Sequence, residues 1–273
     1  MSDLIEAILL GVVQGITEFL PISSSGHLLL GQYFLGMDQE EFGLSFDVVL
    51  HMGTLLAVVT FFWRDLWRVM VAFFRSLPRP DFSDTDQRLA YLLLLATVPA
   101  SGIGFAFRDF FETGLRNPWV VVGGLTAFGI LFIVSERIGE KSKEISKLTF
   151  LESLVIGIGQ AISLLPGISR SGATITFGLF LGMRRTEAAR FSFLMSIPIT
   201  AGAGGVQLPV LLDVEMTPFT LLLFGIGFAV SAVTAYLSIK LLLAYFARYS
   251  MRVFAYYGFA LSTLVALLLI LGY

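Results

Sequence analysis

Gln14 and Glu18 lie four residues apart in an otherwise apolar run, which puts both side chains on one face of a helix. A carboxamide and a carboxylate so placed can offer hard oxygen ligands to a divalent cation such as Mg2+ or Ca2+. Glu18 alone could instead act as a general base, or neutralise a buried cation. Six residues on, the stretch SSSGH sets Ser24 and His27 three apart, again on one helical face. That spacing suits a hydroxyl nucleophile with an imidazole base. It equally suits a serine-capped helix start followed by a hydrogen-bonded structural histidine. Arg170 lies in a second apolar run, where a guanidinium costs at least about 2.5–3.5 kcal/mol on insertion scales and so needs an anion or a wet cavity. It can pair with Glu18 and fasten two distant parts of the chain, or grip a phosphate with its planar fork. Ser23 and Ser169 each follow a proline-containing break and precede an apolar helical run, the setting of an N-cap. Two helix N-termini facing each other beside Arg170 would make a phosphate cradle. Asp47 and His51, four apart near the outer end of a span, could line the outer mouth of the site, but read more readily as a structural Asp–His hydrogen bond.

The elements that must position these groups follow from composition. The chain has 273 residues, of which 56% are hydrophobic and only 14% charged. A soluble domain carries roughly a quarter charged residues, so the deficit, with several apolar runs near twenty residues, indicates an all-α integral membrane protein. A net charge of −2 argues against a nucleic-acid surface, and the lack of cysteine removes disulfides and thiolate chemistry. The N-terminus MSDLIEAILL is acidic, without a basic region or small-residue cleavage site, and reads as mature structure.

Lys and Arg concentrate at 64–88, 137–147, 184–190 and 240–252, which places those loops inside; 37–44, 108–117 and 209–217 then lie outside. Six apolar segments alternate between them: about 45–63, 89–107, 118–135, 187–208, 218–240 and 253–272. The segment 66–77 carries Arg68 and Arg75 and reads as interfacial, and Trp63, Trp67 and Trp119 fit an interfacial belt. Regions 3–36 and 150–183 are each broken midway by Pro, Ser and Gly, and read as two re-entrant helix–loop–helix hairpins. GVVQGITEFLPISSSGH (11–27) aligns over GIGQAISLLPGISRSGA (157–173), matching Gly11 to Gly157 and Gln14 to Gln160. Each half then reads hairpin and three spans with opposite orientation, an inverted-topology repeat of about 1–136 and 150–273 in one membrane domain.

Gln14-x-x-x-Glu18, FLPISSSGH, and PGISRSGAT (Pro166 to Thr174) together resemble the integral-membrane undecaprenyl pyrophosphate phosphatases of bacteria, also called bacitracin-resistance proteins. FDVVLHMGTLLAVVTFFWRDL (46–66) is similar to that family's next segment. The resemblance covers essentially the whole chain. It implies six spans plus two re-entrant hairpins in the bacterial inner membrane, with the active site opening outward. It implies removal of the terminal phosphate of undecaprenyl pyrophosphate, so that the monophosphate carrier is reused in peptidoglycan synthesis, with bacitracin resistance as a consequence. It implies a divalent cation, Mg2+ or Ca2+, at Gln14 and Glu18. The serine-rich loop maps onto Ser23, Ser24, Ser25 and His27, with Ser24 matching the family's proposed nucleophile. The second motif maps onto Ser169, Arg170, Ser171 and Thr174 as phosphate-binding residues. Where some members carry two glutamates this chain has Gln14, a weaker cation ligand. The rival reading is an inverted-repeat transporter or flippase of a lipid phosphate. The oligomeric state, a homo-oligomer included, is left open.

Overall fold

The structure is a computed structural model describing residues 2–36, 43–107, 110–115, 117–138 and 140–272. Among them regular structure is helical: eleven α-helices, a π-helical turn at Phe110–Gly114 and a 3-10 turn at Ile145–Lys147. Six helices are long and apolar enough to cross a bilayer. They are α3 (Leu44–Phe61), α5 (Thr85–Ala106), α6 (Pro118–Ile138), α9 (Arg185–Leu212), α10 (Pro218–Phe246) and α11 (Arg252–Ile270). All six coincide with the expected segments, except that α10 continues past Lys240 because Leu241–Phe246 contains no helix breaker. Between α3 and α5, α4 (Trp63–Ser76) is amphipathic, as expected of an interfacial helix. Val69 and Ser76 are buried, while Trp63, Trp67, Met70 and Phe74 are exposed.

The two regions read as hairpins are helix pairs: α1 (Ser2–Thr17) with α2 (Ser24–Leu35), and α7 (Phe150–Ile162) with α8 (Arg170–Phe180). These helices have 16, 12, 13 and 11 residues, too short at 1.5 Å per residue for a hydrocarbon core of roughly 30 Å. The members of each pair pack on each other. Both expected N-caps form: Ser23 Oγ accepts the Gly26 N–H at 3.2 Å and Ser169 Oγ the Gly172 N–H at 3.1 Å. The second break also requires Gly167, whose φ is +87° and whose added Cβ would lie 2.5 Å from the Val121 carbonyl oxygen.

The pairs cross between the halves. Helix α1 packs on α10 of the second half, and α7 packs on α5 of the first. The equivalent glycines make both crossings close: a Cβ on Gly11 would sit 3.1 Å from the Gly227 carbonyl oxygen, and one on Gly157 would collide with that of Ala96. Likewise α3 packs on α10 and α9 on α5, while α3 meets α9 and α6 meets α11. Phe19, beyond α1, packs edge-to-face on Phe193 of α9 at 5.2 Å, inside the main core.

The four basic loops meet at one end of the bundle. Arg88 donates to the carbonyls of Ser146 and Leu148 at 3.1 and 2.6 Å, and Arg190 pairs with Asp65 at 2.8 Å. Buried Glu136 accepts two hydrogen bonds from Arg185, at 2.8 and 2.6 Å, and one from the Met251 N–H at 2.8 Å. Of the loops read as outside, residues 37–42, 108–109 and 116 lie beyond the described residues, and with them that part of the expectation.

Candidate active site

The two helix pairs bring their breaks together around a cavity of about 340 Å3. Glu18, Ser23, Ser24, Ser25, Ser169 and Arg170 all line it. Glu18 is the hub, at 6% exposure. Its Oε1 is ion-paired with Arg170 Nη2, the cross-link between halves that the residue types offered as one alternative. Its Oε2 accepts the Ser24 hydroxyl at 2.6 Å and the Gln14 amide at 3.0 Å. Arg170 Nη1 also donates to Thr200 Oγ1 at 2.6 Å, just past Pro198 in α9. Ser24 and Arg170 are the first residues of α2 and α8, where free backbone N–H groups and the positive end of the helix dipole favour an anion. A hydroxyl held by a carboxylate at 2.6 Å has the geometry of a nucleophile with its general base. The side chain that touches the Ser24 hydroxyl is thus the Glu18 carboxylate.

His27 lies elsewhere. Its Nδ1 is 2.7 Å from the Ser23 carbonyl oxygen, so this nitrogen is the donor, leaving Nε2 to accept the Tyr257 hydroxyl at 2.7 Å. The ring also stacks on Tyr257 and is not among the cavity-lining residues. The expected Ser24–His27 pair is therefore not formed: three-residue spacing shares a helix face, but the ring turns toward α11. Ser171 and Thr174 are likewise buried outside the lining. Ser169 and Ser171 hydroxyls, 3.0 Å apart, lie 3.4 and 3.2 Å from the Leu20 carbonyl oxygen and tie the second break to the first. Thr174 Oγ1 bonds the Arg170 carbonyl at 2.9 Å and Ser192 Oγ at 2.6 Å, locking α8 to α9.

The cavity takes in Asp47 and His51, the alternative to a purely structural pair, and two residues that spacing did not offer, Gln160 and Thr200. His51 Nδ1 donates to the backbone carbonyl of Asp47 at 2.7 Å, and its Nε2 faces Glu18 Oε2 at 3.6 Å. The Asp47–His51 bond is thus to main chain, and the imidazole belongs to the centre. Its position four residues after Asp47 was the available signal.

Among the described residues no three His, Cys, Asp or Glu gather as a ready metal cage. Of the two expected ligands only Glu18 lines the cavity; Gln14 is fully buried outside the lining and turns its Nε2, not its oxygen, to Glu18, while its Oε1 has no hydrogen-bond partner among the described residues. As placed, the pair does not present two oxygens to a divalent cation in the cavity.

Fold and centre together define a class: multi-pass membrane proteins in which a serine, a carboxylate and a guanidinium meet inside one cavity. The chain belongs to the bacitracin resistance protein BacA family, whose family model matches residues 7–264. It is 61% identical to an undecaprenyl-diphosphatase of Rubrobacter xylanophilus over 99% of this chain and 100% of the relative. A protein of the same name from Teredinibacter turnerae is 41% identical, covering 96% of this chain and 98% of its own. One from Corynebacterium glutamicum is 37% identical over 98% and 91%.

Proposed function

We propose that this chain hydrolyses undecaprenyl diphosphate to undecaprenyl phosphate and inorganic phosphate, returning the carrier to cell-wall polymer synthesis and conferring bacitracin resistance. The observation that carries the reading is the continuous Ser24–Glu18–Arg170 contact inside one cavity. The diphosphate head enters while its polyprenyl tail stays in lipid. Phosphate oxygens draw the Arg170 guanidinium from Glu18, and the freed carboxylate takes the Ser24 proton. Ser24 Oγ attacks the terminal phosphorus, and the bond to the bridging oxygen breaks, with undecaprenyl phosphate leaving with the electron pair. Water then adds to the phosphoserine and releases inorganic phosphate. Positioning and charge stabilisation are the main tools of such transfers.

In this reading the helix pairs re-enter the membrane and the two halves, about 1–136 and 150–273, form an inverted repeat in the bacterial inner membrane. The crosswise packing of α1 on α10 and α7 on α5 supports it. The outward-facing mouth is supported by Leu44, Phe111 and Gln207, cavity residues bordering the loops that the charge pattern puts outside. The same crossed halves suit a transporter or flippase, which needs two membrane faces, whereas a hydrolase works in a micelle. Purified protein in detergent is expected to release phosphate from a polyprenyl diphosphate, to trap labelled phosphate on Ser24, and to lose both with Ser24→Ala. A fully active Ser24→Ala would eliminate the covalent route, and no release from the wild type would eliminate the hydrolase.

A further inference from the structure

Gln160 stands in the last turn of α7, is 1% exposed and lines the cavity with Arg170. Its main chain is well tied, since the Ser163 hydroxyl donates to its carbonyl at 2.6 Å. Its side chain is not: among the described residues neither Nε2 nor Oε1 has a hydrogen-bond partner. A primary amide brings two donors and an acceptor with two lone pairs, and a buried amide that uses none of them is a standing penalty to the empty protein. Native proteins rarely keep such a group without a use for it. The aligned residue in the first half, Gln14, directs its Nε2 to Glu18. Gln160 has no such partner among the described residues, and it lines the cavity that also holds Arg170.

We infer that Gln160 is a substrate-binding residue whose amide N–H groups donate to non-bridging oxygens of the diphosphate. The inference rests on the hydrolase reading above and deepens it. It assigns a contact outside both sequence motifs. A neutral amide cannot offset the charge of the head group; it recognises phosphoryl oxygens by direction. Its loss therefore weakens binding more than it slows the chemical step.

The test is Gln160→Met, an apolar chain of similar length, assayed in detergent with a polyprenyl diphosphate. The expected result is a KM raised about tenfold, with kcat within about threefold of wild type. A second readout needs no turnover. Without ligand the variant should melt at or above the wild-type temperature, because no internal hydrogen bond is lost. The stabilisation conferred by farnesyl methylenediphosphonate, a non-hydrolysable diphosphate, should shrink. An unchanged KM with undiminished stabilisation overturns the inference. So does a variant that melts well below wild type or fails to fold, since Gln160 would then be structural. If the wild type released no phosphate yet was stabilised by the diphosphonate in a Gln160-dependent way, the hydrolase reading would fall and this contact would stand.

Discussion

Glu18 is nearly closed off from solvent, and the Arg170 guanidinium is its principal counter-charge. Ser24 and Gln14 hydrogen bonds share the rest of the carboxylate, with His51 beyond them. Such a pair is expensive to break from one side only, because the survivor is left buried and uncompensated. Arg170→Met should therefore destabilise the protein by about 3 kcal/mol, the lower end for buried pairs, since the arginine borders a cavity. Adding Glu18→Gln to that variant should recover part of the loss, giving a coupling of about 1–3 kcal/mol in a double-mutant cycle read by denaturation in detergent. Strict additivity would show that the pair does not act as a unit. In the mechanism proposed above, a carboxylate held by a guanidinium is a poor base until an anion takes the guanidinium away, so the ion pair would keep Ser24 unreactive while the site is empty.

The centre depends on where α2 and α8 begin, and the second of these starts is set by a single glycine. Gly167 combines a left-handed backbone with contact against α6, so Gly167→Ala meets both strain and the Val121 carbonyl. A loss of about 1–3 kcal/mol from the backbone alone is expected. Because Arg170 follows three residues later, phosphate release should fall with the melting temperature. A variant as stable and active as wild type would show that the break tolerates a second conformation. The spans, the two breaks and both serine caps were legible in the sequence, because apolar run length, proline and cap chemistry are local. The partners of the polar groups were not. Helical spacing placed His27 on the face of Ser24, yet its ring meets Tyr257 of α11, far along the chain. Thr200, which meets Arg170, is a threonine in an apolar helix with no local signal. His51 was visible, but its spacing from Asp47 pointed to a side-chain pair where the structure has a main-chain bond.

At the scale of the molecule, the basic loops do more than mark a side. Glu136, Arg185 and the start of α11 are bonded together, Arg190 reaches Asp65, and Arg88 holds the strand of chain before α7, so this end is tied as one block. The cavity lining includes residues bordering the opposite loops. In the reading proposed above, a chain tied at one end and open at the other takes its head group from one side of the membrane, and loop charge would make the tied end cytoplasmic. The absence of native cysteine allows a direct test, because each single-cysteine variant carries one thiol. Ser146, at the tied end, and Glu215, between α9 and α10, are both exposed, so either thiol would be reachable from its own side. In intact cells a membrane-impermeant maleimide should label Glu215→Cys and spare Ser146→Cys until the membrane is opened. The reverse pattern would turn the cavity toward the cytoplasm and its substrate with it. Labelling of both from outside would mean that an odd number of crossings does not separate the two positions. With α7 and α8 between them returning to the side they left, α9 is the one crossing that separates them, so this outcome would overturn the hairpin reading of that pair.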